Sequence, residues 1–177
     1  MNNWRMEYRT AIELRTGPGR KLEGYAAVFD TVARIGNTTE VIRKGAFAKS
    51  LASSHDIIAT VDHDMSKLLA RTKSGTLQLS EDAKGLVFAL SVPNTSVGSD
   101  ILEMAQRGDV GGASFSFRAI DDAWQGEHRE LRQVDLMEIA IIQTFPAYPS
   151  TSVNARSRDM IRSAERARLR RLLVETL

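Results

Sequence analysis

The heptapeptide GGASFSF, residues 111–117, alternates small polar and large aromatic side chains, and that period of two fits one regular backbone. In an extended strand successive side chains point to opposite faces. Ala113, Phe115 and Phe117 therefore share one face, and Ser114, Ser116 and Arg118 the other. Taken alone, the stretch describes a half-buried strand with a wet serine face. The same period recurs in short segments along the body, separated by turn formers, so the chain is expected to be built mainly of strands.

Residues 5–14 alternate loosely before the turn TGPGR, and LEGYAAVFD (22–30) is a second strand. Residues 38–47 read as a short strand entering a small helix. DIIATVDHD (56–64) has a β-branched centre and ends in three ionisable residues. GTLQLSE and KGLVFALSVP form a hairpin around SEDAKG, whose residues favour turns. VDLMEIAIIQTF (134–145) is the most apolar strand, closed by PAYP. Helix is sparse. Within 95–109, Val97, Ile101, Leu102 and Ala105 form one stripe, with Gly108 placed to end it. A second helix is expected over the last 20 residues, where Ile161, Ala164, Leu172 and Leu173 make a weak apolar face. The predicted fold class is β-rich α+β, a single domain with a barrel-like, mostly antiparallel sheet and a few flanking helices. Residues 1–154 form the body, and 155–177 a separable basic helix or tail.

Length and composition narrow the functions. A chain of 177 residues that is 42% hydrophobic can bury a real core. Zero cysteines exclude disulfides, thiolate nucleophiles and cysteine metal sites. No apolar run approaches the roughly 20 residues that span a bilayer, and the N-terminus lacks an apolar signal core. A soluble, intracellular protein is expected, with no membrane partner, no cofactor and no metal. Residues 155–177 hold seven arginines against three acids, a net of +4, which leaves the other 154 residues at −2. Basic character thus belongs to the tail, and the body offers no case for specific nucleic-acid binding.

Few residues can carry chemistry. Of three histidines, His55 lies in a loop expected to be solvated, and His128 in the polar turn WQGEHRE. His63 stands at the end of a buried-looking strand between Asp62 and Asp64, where a side chain can leave the core and reach a cleft. Glu138 is the single charge in LMEIAII, with Leu136, Ala140 and Ile142 as its face companions. A charge there sits at a sheet margin or is paired to a cation, an arginine or an imidazolium. Ser114, His63 and Glu138 make available a nucleophile, a base that takes its proton, and an acid that orients the base. Composition alone does not assemble them.

The ordered set GYAAVFD, EVIRKGAF, VDHD followed by LLART, SVPNTSVGSDILEMAQRGDVGGASFSF, and LMEIAIIQTFPAYPSTSVNAR covers residues 22–156. In that order it resembles the prohead maturation proteases of tailed bacteriophages, whose fold is similar to that of the herpesvirus assembly protease. The resemblance implies Ser114 as nucleophile and His63 as general base, with glycine the usual residue where this chain has Ser116. An acid in the EIAII strand, here Glu138, is implied as the third member, and His128 is its competitor by analogy with the herpesvirus relatives. Gly111, Gly112 and Arg118 are candidate oxyanion donors by proximity alone. The implied role is cleavage of scaffold or delta-domain peptide of the major capsid protein, together with self-cleavage. It would act in the host bacterial cytoplasm, inside the procapsid. A catalytically inactive assembly protein of the same fold is the alternative.

Overall fold

The computed structural model describes residues 6–11 and 13–143, so the basic helix expected within 155–177 and the closing PAYP lie outside the described residues. The chain forms β1 (Glu7–Ala11), β2 (Glu13–Gly17), β3 (Lys21–Val28), β4 (Ala33–Ile35) and β5 (Thr38–Ile42). A one-turn helix α1 (Ala48–Ala52) leads to β6 (Ile58–Val61), β7 (Asp64–Arg71), β8 (Leu77–Glu81) and β9 (Gly85–Ser91). The helix α2 (Ser96–Arg107) then precedes two long strands, β10 (Gly112–Gln125) and β11 (His128–Ile142).

The expectation of a barrel-like sheet is corrected. Two open sheets form instead, one of seven strands and one of four in the order β2-β3-β9-β8. In the larger sheet β1, β10 and β11 lie side by side, and β11 is long enough to take two further partners end to end. Residues 128–131 of β11 pair parallel with β5, and residues 138–141 pair parallel with β6. Every other pairing is antiparallel. The larger sheet does not close because β1, β4 and β7 each pair on one side only among the described residues. The segment read as one strand over 5–14 is in fact two. Its first half joins β10 and its second joins β3, so the chain changes sheets there.

One apolar core joins the inner faces of both sheets, as layered folds require. Leu22, Phe88 and Leu90 of the smaller sheet share it with Phe115, Phe117, Ile139 and Ile141 of the larger. Phe47 lies edge-on to Phe115 at 5.5 Å, and Phe115 stacks on Phe117 at 5.3 Å between ring centres. The helix expected over 95–109 forms over Ser96–Arg107, with a cap at each end. The Thr95 hydroxyl accepts from the Gly98 amide at 3.2 Å, and Gly108 ends the helix at φ 78°. Beside the core, buried Arg9 and Arg129 bind Glu7 and Glu40 in a network spanning β1, β5 and β11, and Asp122 of β10 accepts from Arg129 at 2.7 Å. No helix among the described residues is long and apolar enough to cross a membrane.

Candidate active site

Cross-strand partners in a sheet share a face, so the register itself selects what meets. Ser114 of β10 lies between Thr10 of β1 and Ala140 of β11, and Ala140 is followed by Thr60 of β6. The adjacent row runs Tyr8, Ser116, Glu138, Ile58. Three hydroxyl-bearing strands and one carboxylate are thereby presented on the face away from the aromatic core.

Glu138 reaches that face through an irregularity. The β10–β11 register shifts between Ser116, opposite Glu138, and Phe117, opposite Leu136, leaving Met137 as the extra residue of a β-bulge. Ala140 does share the face of Glu138. Leu136 does not, contrary to strict alternation: it is opposite Phe117 and fully buried in the core. The bulge lets one strand bury a leucine on one side and present an acid on the other within three residues.

His63 arrives by a tight turn. The strand expected over 56–64 ends at Val61, which pairs with Asp64 across a two-residue connection. Asp62 and His63 both have positive φ, 50° and 59°, as the right-twisting hairpin turns require. The turn is fastened to the end of β11. Its Asp62 amide donates to the Ile141 carbonyl at 3.0 Å, and the Asp62 carboxylate accepts from the Gln143 amide at 2.9 Å. The imidazole consequently lies over the serine face.

There His63 Nε2 is 2.9 Å from Ser114 Oγ, and His63 Nδ1 is 2.8 Å from Glu138 Oε2. Glu138 Oε1 accepts from the Thr60 hydroxyl, and Oε2 accepts from Ser116 at 3.3 Å. The Ser114 hydroxyl also donates to the Arg9 carbonyl at 2.7 Å. The Tyr8 ring stands edge-on to the imidazole at 4.7 Å. Ser114 is 2% exposed and Glu138 7%. Burial raises the pKa of Glu138, but the hydrogen bonds from His63, Thr60 and Ser116 and the charge of His63 outweigh it, holding the acid below the ordinary carboxylate range. Burial, and then the Glu138 charge, push the Tyr8 phenol up.

The other candidates lie apart. His128 opens β11 with its Nδ1 2.9 Å from Thr39 Oγ1. It is twelve residues from Ala140, or roughly 40 Å of strand, at the far end of the hairpin. His55 is half-buried rather than solvated, with Nε2 2.7 Å from the Leu136 carbonyl. The Gly111 amide is committed to the Ile142 carbonyl at 2.7 Å, and Gly112, at φ 127°, begins β10. The Arg118 guanidinium turns along the sheet toward Met137 Sδ and Asp135. Thr60, Tyr8 and the Arg9 carbonyl escaped the sequence reading. A backbone carbonyl leaves no sequence signal, whereas Thr60 was visible as the one hydroxyl within an apolar strand.

A base between a hydroxyl and a carboxylate is the arrangement that deprotonates a serine for attack on a carbonyl. No curated protein and no solved structure matches this chain. A family model does, over residues 7–166, a span that contains Ser114, His63 and Glu138. That match covers most of the sequence, and the chain belongs to the caudovirus prohead serine proteases.

Proposed function

We propose that this chain is an active serine endopeptidase that cleaves scaffold or delta-domain peptide of the major capsid protein, and itself, during procapsid maturation. The observation that carries the reading is the continuous relay from Ser114 Oγ through His63 to Glu138 Oε2, with contacts of 2.9 and 2.8 Å. In this mechanism the Ser114 proton passes to His63 Nε2 as Oγ attacks the scissile carbonyl carbon. The imidazolium then gives that proton to the leaving amine, and water releases the acyl group by the reverse sequence. Glu138 fixes the tautomer with hydrogen on Nδ1 and stabilises the imidazolium. Family membership supports a role in capsid maturation and is consistent with action inside the procapsid in the host cytoplasm.

The test is co-expression with the capsid and scaffold proteins, followed by mapping of new chain termini. Wild-type protein should generate termini that Ser114→Ala, purified as a folded protein, does not. Identical termini with Ser114→Ala would end the assignment.

A further inference from the structure

We propose that Thr60 is a positioning residue for the reaction: its hydroxyl fixes the Glu138 carboxylate so that Oε2 stays on the histidine. The inference rests on the protease reading above and adds to it a residue outside the relay. Thr60 is fully buried, and its Oγ1 donates to Glu138 Oε1. It is brought there by the parallel pairing of β6 with β11, which sets Thr60 beside Ala140, one row from Glu138. Ala140 is small enough to let the threonine reach diagonally past it.

The two carboxylate oxygens therefore have separate tasks. Oε2 receives His63 Nδ1 at 2.8 Å and, more weakly, Ser116 at 3.3 Å. Oε1 has Thr60. A carboxylate can rotate about its last bond, and in a buried setting an oxygen without a donor costs free energy that rotation would relieve. With Thr60 lost, Glu138 turns Oε1 toward another donor and draws Oε2 off the imidazole. The ionised acid is also less well supported, so it stabilises the imidazolium less. Of the titratable groups around this pair, Tyr8 of β1 is in ring contact with His63, while Asp62 and Asp64, which flank His63 in sequence, turn their carboxylates to the Gln143 amide and to Ser66.

The consequence is specific in sign. A less stabilised imidazolium loses its proton at lower pH, so the acid limb of the rate profile moves to lower pH while the plateau falls. A threonine that merely satisfies the core would change thermal stability and leave the profile in place. Thr60→Val keeps the shape and removes the hydroxyl, and Thr60→Ser keeps the hydroxyl.

A fluorophosphonate probe reads serine activation without knowledge of the peptide substrate. It forms an Oγ–phosphorus bond and breaks the phosphorus–fluorine bond, with fluoride leaving and the serine proton passing to His63. Labelling rates of the full chain against pH should fall about ten- to a hundredfold in Thr60→Val, the size of one hydrogen bond to a charged group. The acid limb should move down, and Thr60→Ser should restore most of the rate. In the Glu138→Gln background Thr60→Val should have little further effect, because both changes act through the same carboxylate. A Thr60→Val protein that is folded and labels at the wild-type rate with an unmoved limb overturns the inference while the relay stands. Equal losses from Thr60→Val with and without Glu138 also overturn it. If Glu138→Gln itself labels like wild type, the relay assignment fails and the inference with it. Wild-type protein that neither labels nor cuts scaffold removes the protease reading.

Discussion

The Ser114 hydroxyl has one hydrogen and two acceptors, His63 Nε2 at 2.9 Å and the Arg9 carbonyl at 2.7 Å. When His63 is protonated, Nε2 donates to Oγ and the hydroxyl is left to Arg9. When His63 is neutral with its hydrogen on Nδ1, the hydroxyl can turn to Nε2, and in the proposed mechanism only this state transfers the proton. Peptide hydrolysis should accordingly lose rate on the acid side as His63 charges, and a rate that is flat between about pH 5 and 8 would rule out histidine as the base. Glu138→Gln should cost on the order of 10⁴-fold in kcat by spoiling the tautomer, while His128→Ala should be near wild type. The reverse ranking would transfer the third role to His128. Glu138 also bears on stability, because its folded pKa is depressed. Its contribution is present above the ordinary carboxylate value of about 4.3 and disappears as pH falls through the lower folded value. Urea midpoints of wild type and Glu138→Gln should therefore differ at neutral pH and converge in strong acid.

At the level of elements, the β6–β7 turn delivers the histidine, and its backbone is the demanding part. A β-branched residue at a φ of 50° is strained, so Asp62→Val should destabilise by about 1–3 kcal/mol. It also releases the Gln143 amide, and probe labelling of Ser114 should drop with stability. Asp62→Asn tolerates the same backbone and keeps an acceptor, and its melting temperature should stay close to wild type. These details mark what the sequence could reveal. The serine strand, the β8–β9 hairpin and α2 were legible because their signals are local: alternation, turn formers and caps. The residues of the proposed relay were legible as individual anomalies, a histidine at a strand end and an acid in an apolar run. The turn at Asp62-His63 was not, since VDHD lacks the asparagine–glycine signature of such turns. Nor was the Met137 bulge, because a shift in register is decided by the partner strand. The two parallel pairings of β11 are equally invisible along the chain, and they are what brings Thr60 to Glu138.

Across the whole molecule, the Glu7–Arg9–Glu40–Arg129 network fastens the first described strand to the sheet that carries the proposed site. Arg129 and Glu40 are nearly buried, with 11% and 3% of their side chains exposed. Arg129→Met should destabilise by about 3–5 kcal/mol, as removal of one partner from a buried ion pair does, because Glu7 and Glu40 are left charged and short of donors. Thermal unfolding measures it, and a loss below about 1 kcal/mol, typical of an exposed pair, would show the network to be solvated. Burial raises the Glu7 pKa, but Arg129 and Arg9 together hold it below normal, so its share of stability also vanishes in acid. The arginine-rich stretch 155–177 contributes none of the relay residues. Truncation after Asn154 is predicted to spare hydrolysis of free scaffold and to lower the number of protease copies in purified procapsids, more so at low salt, where seven arginines are least screened. Equal copy numbers would make the stretch irrelevant to docking.

The double use of β11 has a consequence in time. Its far half completes the proposed site, with Glu138 the last relay residue to be synthesised, after the turn bearing His63 and the strand bearing Ser114. Until residues 138–141 pair with β10 and β6 there is no carboxylate behind the histidine and no strand beside Ser114 on that side. Pairings of such long sequence separation form late. A nascent chain that ends before Glu138 therefore carries the serine and the histidine of the proposed relay but not its acid. On the protease reading, the order of translation would keep the site silent until nearly all of its described sheet exists.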